Sequence, residues 1–194
     1  MRRDTFLRVV KERVPALYSL VWQAYSGASH LFYGGDVLAS MTGIQQGDPF
    51  GPALFSLGID SIVRSIESEL NIWYLDDASI ADSADRVLVD LERAIVKLND
   101  IGLEINSAKC ELTFINNNNI PQLLERFEAV LPNVKLVPLE NLEILGSPVS
   151  SIGAQNSVKQ KHEALERMVE RLKRIDPHQA TVLLKNAFSL TKLI

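Results

Sequence analysis

Two adjacent carboxylates, Asp76 and Asp77, are the side chains in this sequence best suited to chemistry. They interrupt an apolar run from Asn71 to Ile80, a pattern typical of a β-hairpin with polar residues at its turn. Two like charges about 4 Å apart repel by roughly 4 kcal/mol at an effective dielectric constant near 20. Because hard cations such as Mg²⁺ prefer carboxylate oxygens, the pair is a candidate metal site. Taken alone, two solvated turn acids are the simpler interpretation.

Two further segments carry candidate chemistry. The stretch from Gly43 to Pro52 holds three glycines and two prolines and leads into an apolar, helical pattern. Glycine backbone approaches a nucleotide closely and a helix N-terminus favours phosphate, although a tight strand-to-helix connection explains the composition equally well. Lys109 follows as a possible proton donor to a leaving pyrophosphate. A solvated lysine is the simpler interpretation of that residue alone.

The elements that must position these residues follow from periodicity and turn chemistry. Apolar residues at three- and four-residue spacing predict helices over residues 4–25 with a break at Pro15, then over 84–101, 121–131 and 156–175. A loop is expected at 150–153, before the last of these. Short apolar runs predict strands at 31–33, 37–40, 103–105, 110–115, 134–138 and 142–145.

Composition limits the class of protein. The 194 residues carry a net charge of −4, but residues 1–13 carry +3, residues 14–154 carry −11 and residues 155–194 carry +4. Basic ends around an acidic middle suit a metal-binding centre flanked by phosphate contacts, although two Lys/Arg-rich surface helices give the same numbers. The single cysteine, Cys110, excludes an intrachain disulfide. With no apolar membrane span and no secretory signal, we expect an intracellular protein of the cytoplasm or nucleus, not secreted.

Four motifs in order resemble reverse transcriptases, especially those of non-LTR retrotransposons. The segment 43–55 resembles their glycine- and glutamine-bearing loop, and 73–77 resembles their tyrosine-x-Asp-Asp signature. Residues 102–111 are similar to their glycine-leucine, asparagine and lysine-cysteine-glutamate motif. Residues 145–148 resemble the leucine-glycine turn of the primer-grip hairpin.

The resemblance implies an α+β fold: a polymerase palm over residues 1–150, with an antiparallel sheet backed by helices, then a partial helical thumb over 151–194. It implies RNA-directed DNA polymerase activity, with an RNA template, a DNA primer and deoxynucleotides as partners and two Mg²⁺ ions in the complete site. The residues it assigns are Asp76 and Asp77 as metal ligands and catalytic residues; Lys109 as a catalytic acid; Gln46, Gly47 and Tyr74 near the nucleotide and template; and Lys159, Arg167, Arg171 and Arg174 on the nucleic-acid backbone.

One departure from the family pattern sets the expectation for activity. The family's first metal-binding aspartate lies in an Asp-x-x-x-Ala-Phe context upstream of the glycine-glutamine loop, and Asp4 does not stand in that context. We therefore expect a palm that lacks its first strand and the fingers, and a chain that is inactive alone. The alternatives are a non-catalytic nucleic-acid-binding remnant of a retrotransposon and an inert folded remnant.

Overall fold

The computed structural model describes residues 1–116 and 119–186, and within them helices alternate with short strands. The α+β class predicted from the sequence is confirmed. The end of the predicted thumb, residues 187–194, lies outside the described residues. The helices are α1 (Arg3–Arg13), α2 (Pro15–Tyr25), α3 (Gly51–Val63), α4 (Ala84–Asp100), α5 (Ile120–Val130), α6 (Ser151–Leu172) and α7 (Pro177–Asn186).

The strands form two-stranded sheets, each made of consecutive strands. They are β1 (Ser29–Tyr33), β2 (Asp36–Ser40), β3 (Leu70–Tyr74), β4 (Asp77–Ala81), β5 (Glu111–Leu112), β6 (Lys135–Leu136), β7 (Glu143–Ile144) and β8 (Ser147–Pro148). The pairs β1–β2, β3–β4 and β7–β8 are antiparallel hairpins with two residues in each turn. In the described part of the chain, no strand joins two of these hairpins into a wider sheet.

The chain divides into two compact units. Among the described residues, the first comprises 1–111 and 119–135, and the second comprises 112–116 and 136–186. The first unit contains α1 to α5 and the hairpins β1–β2 and β3–β4. The second contains the hairpin β7–β8 with α6 and α7.

Two apolar clusters form the core of the first unit. Phe6 and Val10 of α1 pack against Val21 and Tyr25 of α2 and against Leu54 of α3. The break between α1 and α2 falls at Pro15, as predicted, because a proline ring cannot continue the preceding helix. The second cluster joins α3 to α4 through Ile59, Ile62, Ala94 and Leu98.

The strand predicted over residues 103–105 is wrong. Gly102, at φ +74°, ends α4 in the left-handed conformation, and the Leu103 N–H donates to the Leu98 carbonyl at 2.9 Å. Leu103 and Ile105 then pack against the α3–α4 cluster. Their apolar spacing therefore reflects helix capping and core packing, and not strand pairing. The strand predicted over 110–115 is shorter in the structure. Only Glu111–Leu112 forms a strand, and it pairs with the equally short strand β6.

The second unit is built on α6, which begins earlier than predicted. Ser150 caps the helix, since its Oγ accepts a hydrogen bond from the Gly153 N–H at 2.9 Å. The loop expected at 150–153 is therefore the cap and first turn of α6. Gly153 lies against the 3₁₀ turn Leu139–Asn141, and a Cβ atom there would stand 2.6 Å from the Glu140 carbonyl oxygen.

Candidate functional site

The hairpin β3–β4 places the two candidate metal ligands at its tip. Tyr74 pairs with Asp77 across the hairpin, so that Leu75 and Asp76 are the two turn residues and Asp77 is the first residue of β4. Leu75 has φ +55°, a left-handed conformation that costs a non-glycine residue roughly 1–2 kcal/mol. Asp76 and Asp77 are both exposed. Tyr74, also exposed, lies on the same face as Asp77 because cross-strand partners share a face.

The opposite face of β3 fixes the hairpin to the core. The indole N–H of Trp73 donates to Asn71 Oδ1 at 2.8 Å, and the Asn71 amide donates to the Val63 carbonyl at 2.9 Å. Trp73 also packs against the α3–α4 cluster. Strand β3, which leads into the turn with the acids, is therefore anchored through alternate residues, while Ile72 and Tyr74 face outward.

A second anchor holds the chain where it enters β3. Asp90 of α4 is only 1% exposed, and its Oδ2 accepts hydrogen bonds from the backbone N–H groups of Glu67 and Ser68, at 3.0 and 2.8 Å, and from Ser68 Oγ at 2.7 Å. Arg93 approaches the other carboxylate oxygen at 3.7 Å. Asp90 was not among the residues predicted from the sequence to have a role. The available signal was its position one and two turns before the buried Ala94 and Leu98, on the apolar side of α4.

Asp82 completes the base of the hairpin. Its carboxylate accepts a hydrogen bond from the Glu69 N–H at 3.0 Å and another from the Ser83 N–H. Hydrogen bonds from these two backbone N–H groups lower the pKa of Asp82 below its ordinary value, since they favour the charged carboxylate. Acids therefore fix both the start of β3 and the end of β4, and neither Asp76 nor Asp77 is used for that purpose.

The glycine-glutamine loop, residues 43–50, is held by a tyrosine. The Tyr25 hydroxyl donates a short hydrogen bond to Asp48 and accepts one from the Gln45 N–H at 3.2 Å. Burial, and then the hydrogen bond to Asp48, raise the pKa of Tyr25. Gly47, at φ +86°, has open space around the position of a Cβ atom, so its requirement is conformational. Gln46 and Gly47 are exposed at the outside of this loop.

The remaining predicted residues lie apart from these anchors. Lys109 ends the 3₁₀ turn Ser107–Lys109 and is exposed, and no hydrogen bond or ion pair among the described residues joins it to Asp76 or Asp77. In the second unit, Arg167 and Arg171 of α6 line a cavity of about 560 Å³ with Leu172 and Leu183. At about 100° per residue, Lys159, Arg167 and Arg171 fall within one third of the helix circumference. Arg174 follows the end of α6.

The carboxylate oxygens of Asp76 and Asp77 are donor atoms that suit a divalent cation. The carboxylates of Asp76 and Asp77 have no hydrogen-bond or ion-pair partner among the described residues, so all four carboxylate oxygens are available. Mg²⁺ is commonly held by one or two carboxylates together with substrate phosphates. In residues 1–116 and 119–186, no group of three or more His, Cys, Asp or Glu side chains comes close enough together to hold a metal ion.

Comparison with protein families identifies the class. A family model described as reverse transcriptase (RNA-dependent DNA polymerase) matches residues 8–173. The match spans most of the chain, which therefore belongs to the reverse transcriptase family. Searches of curated proteins and of solved structures each returned no match.

Membership confirms the family predicted from the four sequence motifs. Reverse transcriptases copy a nucleic-acid template from a primer and use divalent metal ions. Within the described residues, no helix has the length and apolar character needed to cross a bilayer.

Proposed function

We propose that this chain contains the palm of a reverse transcriptase of the non-LTR retrotransposon type, over residues 1–150, followed by helices of the thumb. The observation that carries the proposal is the pair of exposed, unpartnered carboxylates, Asp76 and Asp77, on a doubly anchored hairpin tip in a member of this family. The resemblance of the loop segment 43–55 to non-LTR reverse transcriptases supports the non-LTR assignment.

In this proposal, Asp76 and Asp77 would hold Mg²⁺ together with the triphosphate of the incoming deoxynucleotide. The ions would supply electrostatic stabilisation of the attacking and leaving oxygens of nucleotidyl transfer. The hairpin supplies rigidity, since Trp73 and Asp90 fix its inner face and its base. A rigid ligand pair matters because small displacements of reacting groups cost large factors in rate.

The other predicted residues act on the substrates. Gln46 and Gly47 lie on an exposed loop whose shape is set by Tyr25, and we assign them to the nucleotide and template. Tyr74 shares a face with Asp77 and is assigned to the nucleotide. Lys109 is assigned as the proton donor to pyrophosphate, and an exposed ammonium group is suited to that role.

We further propose that the 194-residue chain does not polymerise alone. The Asp-x-x-x-Ala-Phe context in which the family carries its first metal-binding aspartate does not occur in these residues, and Asp76 and Asp77 supply two carboxylates. Primer extension on poly(rA)/oligo(dT) with Mg²⁺ tests this. We expect no extension. Template-dependent extension by the wild-type chain that disappears in Asp76→Asn would overturn this proposal.

A second candidate function is nucleic-acid binding without catalysis, and the shared face of Lys159, Arg167 and Arg171 on α6 favours it. Filter binding to an RNA–DNA duplex across a salt series tests it. Replacing these three residues and Arg174 by Gln should reduce the salt slope by up to about 3.6, at about 0.9 per phosphate contact. The control Lys135→Gln should leave the slope unchanged. Absence of duplex binding at low salt would refute this function.

A further inference from the structure

The groove between α1 and α2 is a feature that the proposed polymerase site does not use. It encloses about 530 Å³, and its lining includes none of the residues assigned above to metal, nucleotide or template. Along α1, Arg8 and Lys11 lie one turn apart at its edge. Along α2, Tyr18 and Trp22 lie one turn apart on the opposite wall. Cations therefore face aromatic rings across the α1–α2 groove.

The two cations are available to an anion. Arg8 and Lys11 are both exposed, and neither pairs with a carboxylate in the described part of the chain. Two nearby arginines differ, because Arg2, which precedes α1, pairs with Asp4, and Arg13 of α1 pairs with Asp60 at 2.6 Å. The Lys11 ammonium lies 5.6 Å from the Tyr18 ring centroid. This cation–π contact orients the ammonium group and leaves its N–H donors free to bind a phosphate.

The aromatic wall is open and the floor is fixed. Trp22 is 49% exposed, and its ring lies 5.9 Å from that of Tyr18 at a 39° tilt. At the floor, the buried Arg3 guanidinium donates to the Gly27 carbonyl at 2.7 Å and lies 5.4 Å from the Tyr25 ring centroid. The floor of the groove is therefore held in place by Arg3 and Tyr25 without a ligand.

We propose that the α1–α2 groove binds single-stranded nucleic acid, with a base stacked on Trp22 and adjacent phosphates at Arg8 and Lys11. A positively charged groove combined with exposed aromatic rings is the general requirement for such binding, since every base offers a π-face. A duplex keeps its bases stacked on each other, so a single strand is favoured. The net charge of +3 over residues 1–13 complements a phosphate backbone. An acidic peptide would use the cations but would not require the indole face.

The stacking contact is tested with the full chain and a short fluorescein-labelled oligo(dT), followed by fluorescence anisotropy. Trp22→Ala should weaken binding about tenfold, the effect expected for loss of one base–aromatic stack. The matched control is Leu20→Ala, which removes a 52%-exposed apolar side chain from α2 outside the groove. Equal affinity of Trp22→Ala and Leu20→Ala would overturn the proposal.

The phosphate contacts are tested separately through Arg8 and Lys11, which are both exposed, so that their replacement leaves the core intact. The double variant Arg8→Gln/Lys11→Gln should lower the slope of log affinity against log salt by about 1.4, at about 0.7 per contact with a single strand. The double variant Lys97→Gln/Lys135→Gln controls for total charge and should leave the slope unchanged. An unchanged slope in the groove variant, or displacement of the oligonucleotide by poly-glutamate at equal charge concentration, would overturn the proposal.

Discussion

Asp90→Ala should destabilise the first unit more than the removal of any exposed acid on α4. The side chain is 1% exposed, and its Oδ2 accepts three hydrogen bonds, two of them from backbone N–H groups of Glu67 and Ser68. Ser68 Oγ can rotate to another acceptor, but the two N–H groups cannot. Each buried donor left without an acceptor costs about 1–3 kcal/mol. Because Glu67 is exposed and Ser68 is buried, the lower half of the range applies to the Glu67 N–H and the full range to the Ser68 N–H, which gives about 2–5 kcal/mol in total.

Urea denaturation followed by circular dichroism measures this loss, and Asp85→Ala provides the matched control on the same helix. The Asp85 carboxylate is 81% exposed and pairs with Arg126 at 2.7 Å, an arrangement worth about 0–1 kcal/mol. In a double-mutant cycle, Asp90 and Ser68 should show a coupling energy of about 0.5–3 kcal/mol. A loss below about 1 kcal/mol for Asp90→Ala, or a loss equal to that of Asp85→Ala, would refute the assignment of Asp90 as the anchor of β3.

Two further predictions concern the loop and the second unit. The raised pKa of Tyr25 means that its contribution to stability is present below the ordinary tyrosine pKa of about 10 and is lost as pH rises through the higher folded value. Tyr25→Phe should therefore remove part of the alkaline fall in unfolding free energy, measured by urea titration across pH; an unchanged alkaline limb would contradict the raised pKa that burial and the hydrogen bond to Asp48 give Tyr25. Gly153→Ala should cost about 1–3 kcal/mol by overpacking, because its Cβ would stand 2.6 Å from the Glu140 carbonyl oxygen, whereas Gly35→Ala meets open space. Equal unfolding midpoints for the two alanine variants would contradict the close contact between Gly153 of α6 and the Glu140 carbonyl oxygen.

The sequence predicted the elements that local rules decide. The helix break at Pro15 and the helix over 84–101 were predicted from signals that act within a few residues. The position of Asp76 and Asp77 at a hairpin tip follows from the same local alternation. The leucine-glycine turn likewise forms the hairpin β7–β8, with Leu145 and Gly146 both at positive φ.

The sequence did not predict what depends on distant contacts. Leu103 and Ile105 alternate like strand residues, but their partners are the residues of α3 and α4. Asp90 is an acid on an apolar helix face, and only the nearby backbone N–H groups of the β3 entry explain its burial. Ser150 becomes a helix cap because the chain turns there, which a run of small polar residues does not distinguish from a loop.

The central claim is that the β3–β4 tip binds a divalent cation, and Mn²⁺-induced broadening of backbone amide NMR signals tests it most directly. The β1–β2 hairpin is the internal control, since Tyr33 pairs with Asp36 across two turn residues as Tyr74 pairs with Asp77, but its turn carries glycine in place of Asp76. We predict that substoichiometric Mn²⁺ broadens the signals of residues 74–77 and not those of 33–36. Excess Mg²⁺ should reverse the broadening, and Asp76→Asn/Asp77→Asn should abolish it. Equal broadening at both hairpins, or broadening that persists in the double variant, would contradict the claim.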